Sequence, residues 1–215
     1  EWSQLRTCGK VPSSLSGQGA AVVDERVYMF GGCDGEVALN DVHCFDVQTN
    51  KWCAIVCQEG PSPRAAFGMC SGPGEYAFTV ACGCGIEQMS ALGDMWSFDV
   101  RHHTWSKLFE SPQAMYGVPI CWYDGTLLLH GGTMGVHYSD ALYAFNLDTG
   151  TVAPVVTSGN GPSKRYKHES FIVGEDMFVC GGGAFAPTER RMDMYRLNLS
   201  SLVWRCVKVK MHYPF

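Results

Sequence analysis

Long apolar runs are missing from this sequence, and so is a basic stretch leading into one at its N-terminus. A membrane-spanning helix needs about 20 apolar residues, so the expectation is of no membrane partner and no leader segment. Charge is sparse: Asp, Glu, Lys and Arg together make 17% of 215 residues, while 46% are hydrophobic. That balance belongs to a packed globular chain rather than a disordered one. No stretch longer than a turn repeats its apolar residues at 3.6, which predicts an essentially helix-free, all-β protein. A basic excess is lacking too. The net charge of −5 disfavours nucleic acid as a partner.

Recognisable catalytic machinery is also absent. The glycines do not form a phosphate-binding loop or a G-x-S-x-G elbow. Cys82 and Cys84 are spaced too closely for a zinc knuckle, and no second cysteine–histidine pair follows nearby. His102-His103 sit in a turn, where solvation explains them. The expectation is of no enzyme, no cofactor and no metal. The eleven cysteines include several inside apolar strand patterns (Cys44, Cys70, Cys82, Cys121, Cys180). Free buried cysteine behaves as a small hydrophobe, and the odd count points to a reducing, cytoplasmic compartment, with the nucleus as the alternative. That compartment makes the acceptor triplet Asn198-Leu199-Ser200 inert.

What is present is a repeat. A glycine pair follows a short apolar strand at Gly31-Gly32, Gly131-Gly132 and Gly181-Gly182, with Cys82-Gly83-Cys84-Gly85 as a variant. Taking 31, 83, 131 and 181 as first glycines gives steps of 52, 48 and 50 residues. A second column holds Trp52, Trp105 and Trp204, with Trp2 one step earlier and Val152 where the third repeat needs its tryptophan. An aspartate recurs between them at 41, 94, 140 and 193. Each unit reads as four short strands separated by turn residues; in the first they cover 20–23, 27–30, 42–46 and 51–57.

Each column has a physical task. Glycine adopts positive φ and admits close backbone approach where inner strands crowd. Tryptophan supplies an apolar plate between sheets, and the aspartate accepts hydrogen bonds from loop amides. The glycine doublet, the spaced tryptophan and the period near 50 resemble the kelch repeat along essentially the whole chain. The resemblance implies a β-propeller of four-stranded blades: residues 16–63, 64–112, 113–163 and 164–215, the last including the start of a further lead-in loop. Residues 1–15 read as the outermost strand of a preceding blade plus a linker. A ring closes to leave no blade unpaired, so the expectation is a segment of a ring of five to seven blades, with a self-contained four-bladed ring or an assembly of two copies as the alternatives. Its exposed end blades would then contact further kelch repeats or another chain.

Two enzyme-like relatives of that fold fail on residues. Copper radical oxidases need tyrosine and histidine ligands with a cross-linked cysteine. The iron-binding pattern E-x-x-x-D-x-x-x-H of plant specifier proteins starts at Glu189 and Asp193 but meets Leu197 instead of histidine. A binding surface is the remaining reading. The loops leading into each blade and following each glycine pair carry Arg64, Phe67, Tyr116, His137, Tyr138, Arg165, Tyr166, His168, Arg190 and Arg191. Residues 161–215 hold nine Lys/Arg against five Asp/Glu, inside an acidic chain. That patch suits an acidic peptide or a free C-terminal carboxylate, because arginine pairs carboxylates bidentately. Arg165-Tyr166-Lys167-His168-Glu169 followed by Cys180-Gly181-Gly182-Gly183 resembles the corresponding blade of kelch substrate receptors of cullin–RING ubiquitin ligases. The resemblance implies capture of C-terminal tails, with Arg190 near one family arginine and Ala184-Phe185-Ala186 where a second would stand. The alternative is an architectural subunit with no peptide-capture site.

Overall fold

The computed structural model describes residues 3–13, 15–85, 90–184 and 193–208. The chain divides into two compact units, Glu1–Tyr116 and Gly117–Phe215. Each holds two sheets, and no helix occurs among the described residues.

In the first unit, β1 (Cys8–Gly9), β2 (Gly19–Val23), β3 (Arg26–Cys33), β4 (Ala38–Asp46) and β5 (Lys51–Ile55) make one sheet in the order β1-β5-β4-β3-β2. The second comprises β6 (Gly68–Ser71), β7 (Ala77–Ala81), β9 (Ser90–Asp99) and β10 (Thr104–Met115), with the short β8 (Cys84–Gly85) against β9. Alternation along the strands puts Tyr28, Phe30, Val42 and Cys44 of the first sheet against Phe78, Val80, Phe98 and Val100 of the second. Trp105 ties them together, its ring 5.1 Å from Phe30, 5.4 Å from Phe78 and 4.9 Å from Phe98. Burying each such phenylalanine contributes roughly 1.5–3 kcal/mol.

The second unit repeats this plan. Its four-stranded sheet runs β11 (Ile120–Tyr123), β12 (Thr126–His130), β13 (Leu142–Asn146) and β14 (Thr151–Val155). The other sheet, from β15 (Ser158–Gly159), β16 (Glu169–Val173), β17 (Asp176–Cys180), β18 (Met194–Asn198) and β19 (Val203–Val207), has the order β15-β19-β18-β17-β16. Leu128 and Leu142 of one sheet pack with Met177, Val179, Leu197 and Trp204 of the other. Val152 pairs with Phe145 in the register that sets Trp52 on Phe45, Trp105 on Phe98 and Trp204 on Leu197. The third repeat thus has valine in the tryptophan place.

The structure moves three sequence assignments. The left-handed pair that ends the second strand is Cys82-Gly83, at φ 63° and 111°, matching Gly31-Gly32, Gly131-Gly132 and Gly181-Gly182. The column therefore stands at 31, 82, 131 and 181, and a cysteine bears a conformation that normally requires glycine. In the third repeat the aspartate column falls on Ala141, not Asp140. Ala141 precedes Leu142, the partner of His130, as Asp94 precedes Met95 opposite Ala81 and Asp193 precedes Met194 opposite Cys180. Of residues 1–5, expected as an outermost strand, the described Ser3–Leu5 form none. Such a strand needs the third strand of its own sheet beside it, and no described segment stands there. Trp2 lies outside the described residues. Instead Cys8–Gly9 runs parallel to β5, and Ser158–Gly159 runs parallel to β19.

Candidate functional site

The lead-in segments, which enter the second sheet of each unit, thread through the end of the first. In the first unit the Arg64 amide donates to Leu39 O at 3.0 Å, and the Arg64 carbonyl accepts from Gly32 N at 2.9 Å. In the second, Arg165 N donates to Ser139 O and Arg165 O accepts from Gly132 N, at 3.0 and 2.9 Å. A side chain on the first glycine of either doublet would collide here: a Cβ on Gly31 would lie 2.8 Å from Arg64 O, and one on Gly131 would lie 2.9 Å from Arg165 O and 2.6 Å from the His168 ring. Two residues after each arginine the chain turns left-handed, at Ala66 and Lys167, both with φ 53°. Gly17 and Gly117 hold the same place in the other repeats.

This threading carries both arginines inward. Arg64 is fully buried, and its five N–H groups meet five acceptors. Nε donates to Ser62 O at 3.0 Å, Nη1 to Cys82 O at 3.0 Å and Asp94 Oδ1 at 2.7 Å, and Nη2 to Ser62 Oγ at 3.0 Å and Asp94 Oδ2 at 2.8 Å. Arg165 repeats the pattern on Ser163, Gly181 O and Asp193, with its forks to the carboxylate at 2.7 and 2.9 Å. Burial pushes the Asp94 carboxyl up, but the Arg64 hydrogen bonds and charge outweigh it, and it ends below its ordinary value. For Arg165 the Asp193 hydrogen bond raises the pKa further. Neither guanidinium has a donor left for a partner carboxylate. Both are structural clamps between the lead-in segment and the glycine doublet, which corrects their assignment as binding residues.

Phe67 and His168 occupy one place in the two units, and both also point inward. Phe67 meets Phe30 edge-to-face with centroids 5.3 Å apart. His168 meets His130 in the same way at 5.1 Å, and His130 lies 5.4 Å from Trp204 much as Phe30 lies 5.1 Å from Trp105. The histidines share one hydrogen bond, His130 Nδ1 to His168 Nε2 at 3.1 Å, while His130 Nε2 and His168 Nδ1 have no protein partner. Burial, then the Arg165 charge, lowers the His130 pKa to about 4, with Asp140 opposing. Burial, then His130 and Arg165, lowers that of His168 to about 3, with Asp193 among the opposing groups. Both are neutral at pH 7. They form a core contact rather than a surface for a partner.

What faces outward is the pair of residues between these anchors, together with the loop after Gly132. Tyr166 sits half-buried with its ring 5.3 Å from Tyr138, and Lys167 Nζ stands 5.6 Å from the Tyr166 centroid. His137 is exposed beside Tyr138. The loop is braced from within: Thr133 Oγ1 donates to His137 O at 2.9 Å and accepts from Gly135 N at 3.1 Å. Val136 at its tip is 82% exposed. Tyr116 is half-buried at the end of the first unit. Arg190, Arg191 and Phe185 lie outside the described residues. The sequence reading missed the aspartates as arginine partners and His130 as the mate of His168. A signal existed, since Ser-x-Arg and its aspartate occur together in the second and fourth repeats and are both missing from the third, at Met115 and Ala141.

Comparison with known proteins agrees with this architecture. A family model described as the KLHDC2/KLHL20/DRC7 Kelch-repeats domain matches residues 1–111 and again 109–215. Human Kelch domain-containing protein 10 is 26% identical over 229 residues, covering 99% of this chain and 50% of that protein. Bovine Kelch domain-containing protein 3 is 26% identical, covering 92% of this chain and 55% of its own. The Leucine-zipper-like transcriptional regulator 1 homolog of Drosophila melanogaster is 25% identical over 93% of this chain and 21% of itself. The chain thus spans about half the length, or less, of these relatives. With its whole length matched by the family model and its sheets built on the glycine doublet, the chain belongs to the kelch-repeat family, with the all-β propeller-blade fold of that family.

Proposed function

We propose that this stretch of kelch repeats is a protein-binding adaptor that captures a peptide or protein segment on the loop surface of its second unit, around His137, Tyr138, Tyr166 and Lys167. The observation that carries the reading is the Tyr138–Tyr166 pair with the Lys167 ammonium over it. Tyrosine offers large contact area at low entropic cost, and the ammonium is a counter-charge for a carboxylate. The partner class is an acidic segment or a C-terminal tail, and the role extends to substrate receptor of a ubiquitin ligase. The family match and the basic character of residues 161–215 support this. The setting is a reducing cytoplasm, consistent with eleven cysteines that all stand as thiols. Affinity capture from cell extract, quantified by mass spectrometry, tests it. Tyr166→Ala and Lys167→Glu should each lower recovery of varied, sub-stoichiometric clients at least tenfold. Unchanged recovery in both refutes the site.

A second reading, an architectural subunit held by its sheet faces, draws on one observation. Phe171 stacks on Phe178 across β16 and β17 and is 42% exposed, beside Val173 at 60%. One fixed set of partners, indifferent to the loop variants and lost with Phe171→Asp, would favour it.

A further inference from the structure

Two of the four sheets carry an added parallel strand on their outermost edge, and the sequence says why. Gly9 and Gly159 each lie three residues before a proline (Pro12, Pro162) and adopt φ of +86° and +84°. They press against the outermost strand opposite its tryptophan, Gly9 on Trp52 and Gly159 on Trp204. A Cβ on Gly159 would stand 2.5 Å from the Trp204 carbonyl oxygen, and one on Gly9 would collide with that of Trp52. With glycine there, the segment pairs in parallel. Cys8 N donates to Asn50 O at 3.1 Å, Lys10 N to Trp52 O at 3.0 Å and Ser158 N to Leu202 O at 2.9 Å. In the second sheet the same place, three residues before Pro61, is Gln58. Gln58 is outside the left-handed region, and among the described residues nothing pairs with the outer edge of β10. A cleft of about 570 Å³ opens there, lined by Gln58, Glu59, His103, Thr104 and Trp105 among others.

We infer that this cleft is a strand-addition site: the outer edge of β10 at Thr104–Ser106 takes an extended, glycine-bearing segment of another protein, running parallel to β10 with its glycine opposite Trp105. The chain itself shows the occupant twice, as Cys8-Gly9-Lys10 and Ser158-Gly159-Asn160 on the equivalent edges. The acceptors match as well. His103, with φ 55°, stands where Asn50 (52°) and Leu202 (56°) offer their carbonyls, and Trp105 stands where Trp52 does. An edge strand left open in this way invites main-chain pairing. The required ligand chemistry follows. The segment needs free N–H groups on both sides of a glycine, hence no proline at those two positions, and no side chain at the centre.

An acetylated, amidated hexapeptide with the sequence of residues 157–162 is the probe, titrated to millimolar concentration into the ¹⁵N-labelled chain. Saturable shifts confined to amides around 102–106 and the Trp105 indole are expected. The same peptide with alanine for its first glycine should bind at least tenfold more weakly. Gln58→Gly should let the chain's own linker close on β10, slow exchange of the residue 58–60 amides and abolish the peptide shifts. No shifts, equal shifts from the alanine peptide, or undiminished binding by Gln58→Gly would each overturn the inference.

Discussion

Acid should loosen the second unit through its histidine pair. His130 and His168 are buried with one nitrogen each unpaired, and Arg165, Asp193 and Asp140 are the charged groups acting on them. Their folded pKa values, about 4 and about 3, lie below the 6.5 of a free imidazole. In the window between, the unfolded chain binds protons that the folded chain refuses, so stability is complete above about pH 6.5 and declines as pH falls toward 4. Each group loses roughly 1.4 kcal/mol per pH unit inside that window. From pH 7 to pH 5 the loss is about 2 kcal/mol per histidine, or about 4 for the pair. A domain holds only about 5–15 kcal/mol in total. Urea unfolding at pH 7, 6 and 5, read by amide exchange on β12, β17 and β18, measures it. The variant His130→Phe with His168→Phe, which copies Phe30 and Phe67 of the first unit, should flatten the pH dependence over this range. His130→Phe alone should not rescue stability, because it leaves His168 with two unpaired nitrogens. If the double variant loses as much stability between pH 7 and 5 as the parent, the reasoning is wrong.

Other perturbations are equally direct. Arg64→Met should cost about 3–5 kcal/mol, because it strands a buried carboxylate. Asp94 is the better target of the two aspartates, its side chain 15% exposed against 34% for Asp193. Adding Asp94→Ala, which copies Met115 and Ala141 of the third repeat, should recover part of that loss in urea melts followed by tryptophan fluorescence. Gly60→Ala should destabilise the first unit by roughly 1–3 kcal/mol, since its Cβ would stand 2.6 Å from the Trp105 ring. A change below 0.5 kcal/mol in the same melts would show that the ring simply moves.

The fold was legible because its columns are spaced by backbone requirements. Glycine doublets and tryptophans recur at fixed places in these sheets, so Val152 could be assigned its place without a tryptophan there. The doublet of the second repeat was misplaced by one residue because Cys82 accepts φ 63° in a buried setting, which composition does not announce. The binding surface was less legible. Arginine and histidine in a polar loop look available for a ligand, and only the threading past Gly32 and Gly132 turns Arg64, Arg165 and His168 inward. The added parallel strands were missed for a related reason: two residues of parallel pairing leave no periodicity, only a glycine three residues before a proline.

The lead-in segment of the fourth repeat alternates in its commitments. Arg165 and His168 are locked into the protein, while Tyr166 and Lys167 between them are displayed. A loop pinned at one end by a fully hydrogen-bonded arginine and at the other by a buried histidine has little backbone freedom left to surrender when a ligand arrives. Its ordering entropy is settled during folding, not at the encounter. A partner on this surface should therefore meet a rigid template. Loosening Arg165 or His168 would weaken binding without either side chain touching the ligand.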